Sequence, residues 1–395
     1  MIVILGGSNM KAISLSSLEH AGVSADGVQR IRKAASQMVA DNITPTQVIA
    51  ASRRGSLFVH QADGKFGPEH NASELTVDAL FPLCSITKLF TATAIMILVE
   101  QGRIGLNRPV CDYIPEFTGD GKTNVCVHHL LTHTSGLDAD AIRSNEIALG
   151  EQCAIPEHDP NQDPDIHSFL YSGYTAPLKS EPGTVMSYSG YDYELLGEII
   201  RRVSGQAYHK FVHETIFQPL GMMNSYYRVP QEVRNKVVRR TPEAACAQWV
   251  DSEYQLNSVS AGGGAYSTAL DLTVFGQMFL NGGVYNGVRV LSPISVKEMT
   301  RNQIPGVSSQ YRDEVFPEAY WGYGWAINGT KRDGGDLFSS DAYSHWGAAG
   351  PFLCVDPIYQ TVTVHLSVEL DHQKPFKNMY VDYFNNTVLA AITDL

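Results

Sequence analysis

The chain has 395 residues, 44% of them hydrophobic and 18% charged, enough to bury a sizeable core in one large domain or two. Its 29 basic and 41 acidic residues leave a net charge of −12. That argues against nucleic acid or an anionic membrane as a partner, since both attract basic patches, and no run of about 18 apolar residues is present to span a bilayer.

The N-terminal run Met1-Ile2-Val3-Ile4-Leu5-Gly6-Gly7 lacks the basic and long apolar regions of a signal peptide. Residues 26–41 read as an amphipathic helix with Val28, Ile31, Ala34, Ala35 and Met38 on one face. Gln47–Ser52 and Ser56–His60 read as two strands joined by a hairpin turn at Arg53-Arg54-Gly55. Next comes Ser85-Ile86-Thr87-Lys88, opening an apolar run, Leu89–Val99, that predicts a buried helix ending near Gly102.

The middle of the chain is rich in Pro, Gly, Asp and Tyr. Helices are predicted near Val127–Thr132 and over Tyr191–Val203, the latter stopped by Gly205, with Asp159–Asp165 as a loop between them. After Gly262-Gly263-Gly264 a helix is predicted over Ala269–Leu280, ended by Asn281-Gly282-Gly283. Strand signals return at Tyr320–Ile327, Phe352–Val355 and Thr361–Val368, and the stretch from 378 to 392 reads as a closing helix. No internal repeat or low-complexity segment stands out.

This order implies an α+β fold: an antiparallel sheet flanked by helices and built from both termini (12–84 and 260–395), with a mainly helical domain (85–259) inserted between them. A cleft between two such parts is a usual place for a small-molecule site. The cysteines Cys84, Cys111, Cys126, Cys153, Cys246 and Cys354 are scattered without a C-x-x-C pair. A disulfide framework or zinc site is therefore not expected, and the simpler reading is a reducing, cytoplasmic compartment.

Three segments carry chemistry. On a helix, Ser85 and Lys88 share a face, and a helix start offers free N–H groups to a developing oxyanion. A serine beside an amine there can act as an activated nucleophile. Tyr188-Ser189-Gly190 follows the turn Glu181-Pro182-Gly183-Thr184 and precedes a helix; an ammonium such as Lys88 nearby would favour its phenolate. His345-Trp346-Gly347-Ala348-Ala349-Gly350 lies just before a strand, and its small residues let a substrate carbonyl approach the backbone. The G-x-S-x-G signal of α/β-hydrolases is absent.

In this order and spacing the three elements resemble the serine β-lactamase and penicillin-binding-protein superfamily, with its S-x-x-K, Y-x-N or S-x-N, and K-T-G or H-x-G motifs. Val127-His128-His129-Leu130-Leu131-Thr132-His133-Thr134-Ser135-Gly136-Leu137 resembles the class C β-lactamase-like branch. So does the segment Gly262–Leu272 with Phe275-Gly276-Gln277-Met278. The resemblance runs from about Asp26 to the C-terminus. It implies Ser85 as the acylated nucleophile, Lys88 and Tyr188 as the shared general base, and the N–H groups of Ser85 and Ala348 as the oxyanion hole. It places His345, Trp346 and Gly347 at the substrate.

Two departures point toward neutral esters, as in the family VIII carboxylesterases that the chain resembles. Gly190 replaces an amide-holding asparagine, and His345-Trp346-Gly347 replaces K-T-G, removing a fixed charge and a hydroxyl. The expected function is a carboxylesterase that acts on a small-molecule ester without cofactor or metal. The same machinery also fits a β-lactamase, a D-amino-acid peptidase or amidase, or an acyltransferase; from another class, a catalytically silent binding domain could keep the fold. Of the weaker signals, His129 and His133 have an i, i+4 spacing. Asp159-x-Asn161-x-Asp163 imitates an EF-hand start but has Pro164 and Leu170 where glycine and glutamate belong.

Overall fold

The hairpin predicted near the N-terminus and the strands near the C-terminus join into one sheet. The computed structural model describes residues 13, 17–137, 139–149, 155–242, 244, 246–311, 314–332, 334–370 and 379–395. In chain order the elements that position the site are α1 (Ala25–Ala40), β1 (Thr46–Arg53), β2 (Ser56–Gly64), α2 (Thr87–Glu100), α3 (Val127–Leu131), α4 (Ala139–Leu149), α5 (Pro164–Gly173), α6 (Gly190–Ser204), α7 (Ala269–Leu280), β3 (Ala326–Ile327), β4 (Tyr343–Trp346), β5 (Phe352–Asp356), β6 (Thr361–Ser367) and α8 (Met379–Leu389). The sheet runs β3-β4-β5-β6-β1-β2 and every neighbouring pair is antiparallel.

Each face of the sheet is covered. On one side α1 buries Val28, Ile31 and Ala35 against Ile49, Ala51, Val59 and the α8 residues Phe384 and Val388. On the other side α7 lies on β5 and β6, so close that a Cβ on Gly276 would meet Val362 Cγ1 at 2.6 Å. Beyond α7 lie the helices of the middle segment. There α2 is buried at every position from Thr87 to Leu98, which explains why its sequence is apolar all round. It packs against α6, and α6 in turn contacts α3 and α5.

Three expectations change. The loop over 159–165 ends early, because the Asp163 carboxylate accepts from Asp165 N (3.1 Å) and caps α5, with Pro164 in the first turn. The strand expected over Tyr320–Ile327 shrinks to β3, since Trp321 bridges back to Ala326 around a turn with Gly324 at φ 85°. His345 and Trp346 lie inside β4 rather than before a strand. Cys153 lies outside the described residues. No helix among the described residues is long and apolar enough to cross a membrane.

Candidate active site

Cys84–Ile86 form one 3-10 turn that runs into α2 at Thr87, so Ser85 stands at the helix start. Cys84 has φ 47°, a left-handed conformation uncommon for a residue with a side chain. Its thiol is buried with Val250 and Ala349 and burial pushes it up to about 12, so it stays protonated.

One turn on, Lys88 is 2% exposed. Its Nζ lies 3.1 Å from Ser85 Oγ and donates to Gly262 O at 2.7 Å. Burial draws its pKa down to about 8, against the opposing pull of Glu194, Cys84 and Asp192. A neutral amine near pH 8 can donate one N–H to Gly262 and offer its lone pair to the Ser85 hydroxyl.

Tyr188 stands across from Lys88, whose Nζ is 5.1 Å from the centre of the phenol ring. The ring packs among aromatics. His133 is 4.3 Å away between centroids, Trp346 is stacked at 6.2 Å, and Trp321 meets it edge-on at 5.9 Å. Tyr188, Trp321 and Trp346 line a cavity of about 40 Å³ together with Met186, Phe316 and Ala319.

The end of β4 reaches the nucleophile turn. A Cβ on Gly347 would meet Leu83 O at 2.4 Å and Cys84 Cβ at 3.3 Å, so a glycine here lets residues 347 and 348 approach Ser85. His345 is fully buried. Its Nδ1 pairs with Trp346 O at 2.8 Å, and burial with the nearby Lys88 lowers its pKa to about 3, which keeps it neutral. Of the three residues expected at the substrate, Trp346 lines the cavity, Gly347 adjoins the nucleophile turn and His345 is buried beside Trp346.

Sequence reasoning missed Glu194 and Trp321. Glu194, on α6, accepts from Ser260 Oγ, from Ala261 N at 3.1 Å and from Gly262 N at 3.0 Å. It thereby fixes the carbonyl that holds Lys88. In the sequence it is one more charged residue in a helix whose whole stretch Tyr191–Ile200 is buried; only its position beside the apolar Leu195 and Leu196 hinted at burial. Trp321 falls in the stretch Tyr320–Ile327, whose pattern predicts a strand.

His129 and His133 have different roles. His129 Nδ1 accepts from Cys126 N at 3.0 Å and so caps α3. His133 Nδ1 accepts from Ser189 N at 3.1 Å, next to Tyr188. Ligand atoms of Cys126, His128 and His129 lie within 4.8 Å of one another; in this group His129 Nδ1 serves the cap and His128 Nδ1 pairs with the Leu106 carbonyl.

A family model described as Beta-lactamase matches residues 31–380. A protein of Escherichia coli (strain K12) named "Putative D-alanyl-D-alanine carboxypeptidase" is 29% identical over 322 residues, covering 74% of this chain and 69% of that protein. The crystal structure of a family VIII carboxylesterase superposes with TM-score 0.74 at 21% identity, covering 94% of this chain and 98% of that one. EstCE1, described as a hydrolase with promiscuous acyltransferase activity, superposes with TM-score 0.71 at 19% identity, covering 92% and 99%. At these identities the superpositions establish a shared fold.

Proposed function

The chain belongs to the β-lactamase family, whose members are serine hydrolases, and we propose that it is a carboxylesterase working through an acyl-enzyme on Ser85. The observation that carries this reading is the placement of Ser85 Oγ 3.1 Å from the amine of a buried lysine with its pKa lowered to about 8. Lys88 takes the hydroxyl proton as Oγ attacks the ester carbonyl carbon. The N–H groups of Ser85 and Ala348 receive the oxyanion. The bond to the alcohol oxygen breaks and Tyr188 passes the proton to the departing alkoxide. Water then attacks the acyl carbon, its proton goes to the Lys88/Tyr188 pair, and Ser85 recovers its hydroxyl as the acid leaves.

Esters are favoured because Trp346, Trp321, Phe316 and Met186 give the cavity an apolar wall and His345 is neutral. A cytoplasmic location fits the free thiols Cys84, Cys111, Cys126, Cys246 and Cys354. A second reading, cleavage of a peptide or lactam that carries a carboxylate, is favoured by Lys331 on the same cavity and by the carboxypeptidase name of the E. coli relative.

Ser85→Ala is expected to abolish turnover of p-nitrophenyl butyrate with an unchanged circular dichroism spectrum; a variant that kept most of its rate would overturn the assignment. Tyr188→Phe is expected to be nearly as damaging, and a mild loss would leave Lys88 as the sole base. Faster turnover of nitrocefin or a D-alanyl-D-alanine peptide than of any ester would favour the second reading. Ester formation with an added alcohol would reveal acyl transfer.

A further inference from the structure

One residue holds the backbone on both sides of Tyr188. The N–H of Ser187 donates to the backbone carbonyl of His133 at 2.9 Å, and the N–H of Ser189 donates to the His133 Nδ1 at 3.1 Å. Between these two bonds the imidazole lies against the phenol ring, 4.3 Å between centroids. The imidazole is itself confined by Tyr193 at 5.0 Å and Trp321 at 5.5 Å. His133 is 1% exposed and has φ 56°, a left-handed backbone in which His, Asn and Asp are enriched among residues with side chains.

The side-chain bond requires a neutral ring. A protonated imidazole carries a hydrogen on Nδ1 and cannot accept from Ser189. Burial, with Lys88 and His345 nearby, holds the His133 pKa well below its usual value, so the ring stays an acceptor at neutral pH. Ser189 is buried and also caps α6. Without Nδ1 its N–H must find another acceptor, and the chain on either side of Tyr188 must move to let it.

This hold bears on one step. Under the esterase reading, Tyr188 delivers to the alcohol oxygen the proton that Lys88 takes from Ser85. An alkoxide is a strong base and must receive that proton as its bond to the acyl carbon breaks, whereas p-nitrophenolate is a weak base and departs without it. Resting on that reading, we infer that His133 is a positioning residue: it keeps the Tyr188 hydroxyl aimed at the leaving oxygen and so decides whether esters of alkyl alcohols are cleaved along with activated aryl esters.

Ethyl butyrate and p-nitrophenyl butyrate share an acyl group and test this. The measure is kcat/KM, which ends at departure of the alcohol and leaves out the later attack by water. Tyr188→Phe is expected to cost ethyl butyrate roughly a hundredfold more than p-nitrophenyl butyrate, the scale of one general acid. His133→Phe keeps an aromatic ring but removes the acceptor, and is expected to shift the ratio the same way by roughly tenfold, as for an acid displaced but present. His133→Leu removes the acceptor by another route and carries the same expectation if the phenylalanine variant does not fold. His133→Asn offers an oxygen near the place of Nδ1 and tolerates the left-handed backbone, so it is expected to keep the wild-type ratio. Both esters are measured on one sample, which makes the ratio insensitive to the fraction folded. An unchanged ratio in the acceptor-less variants, or an equal shift in His133→Asn, would overturn the inference while Tyr188→Phe still shows its own shift. No shift in Tyr188→Phe would instead remove Tyr188 as the acid, and with it the reading on which the inference rests.

Discussion

On the helical side of Ser85, Lys88 and Glu194 face each other across the turn Ser260-Ala261-Gly262, and their polar atoms have named partners. On the sheet side, Tyr188 packs among His133, Trp321, His345 and Trp346, and the Nε2 atoms of both histidines and the Nε1 of Trp321 are buried without partners among the described residues. Burying a charge requires close pairing, whereas a neutral ring nitrogen costs far less when left alone. The charged side is therefore held in one geometry and suits proton transfer. The neutral side encloses the cavity lined by Tyr188, Trp321 and Trp346 and suits substrate recognition. Changes on the first side are expected to move rate and pH dependence. Changes on the second, apart from Tyr188 as the proton donor, are expected to move preference among substrates.

The largest break in that division comes from Lys88→Met. It keeps most of the side chain's bulk and removes the amine, and the expected loss in kcat/KM is roughly a thousandfold, within the range for a general base. The intact protein carries a matching signature. Because the neutral amine is the active form and its pKa is lowered to about 8, kcat/KM is expected to rise with pH and level off above about 8. A profile already flat from pH 6 upward would show that Lys88 is not the titrating base.

Gly347→Ala tests where the two sides meet, at the approach of β4 to the nucleophile turn. The added methyl would sit 2.4 Å from Leu83 O, a backbone atom with little room to yield, so the strand end must shift away from Ser85. The expected loss in kcat is about a hundredfold, the cost of weakening one oxyanion donor. The ratio between different alcohols should change little. Steady-state kinetics on two esters separates the effects, and an unchanged kcat would remove Ala348 from the oxyanion hole.

Much of this arrangement was legible in the sequence because it rests on local signals. The apolar run after Lys88, the glycine stops at Gly205 and Asn281-Gly282-Gly283, and the alternation in the strands each follow from short-range physics. Ser85, Lys88, Tyr188 and Gly347 could be picked out because their motifs recur in one order. Glu194 and Trp321 could not. The partners of Glu194 lie 66 to 68 residues away, and no local pattern separates a buried carboxylate from one on a solvated helix face. Trp321 sits in an aromatic- and glycine-rich stretch whose alternation imitates a strand, and only the bridge back to Ala326 reveals the turn. His345 belongs to the same motif as Trp346 and Gly347, and its burial, which comes with packing against Trp321 and Tyr188, is a tertiary property that no local pattern carries.

The smallest effect is expected from Glu194→Gln, and it sharpens the comparison most because it asks whether the charged side works through charge or shape. Three groups raise the Lys88 pKa against burial: Glu194, Cys84 and Asp192. The Cys84 thiol is held protonated, and burial raises the Asp192 carboxyl well above its usual range. Glu194 is also raised by burial, but its hydrogen bonds from Ser260, Ala261 and Gly262 favour the ionised form. Removing that negative charge should let burial act on Lys88 with less opposition. Its pKa then falls further, and the acidic limb of the kcat/KM profile moves below the wild-type position near 8. At pH 6 the variant should lose less activity, relative to its own plateau, than the wild-type protein does. If Glu194 only shapes the turn, the mismatch between the glutamine amide and the Ala261 or Gly262 N–H should lower the plateau and leave the limb in place. The pH profile on one ester therefore decides between the two roles.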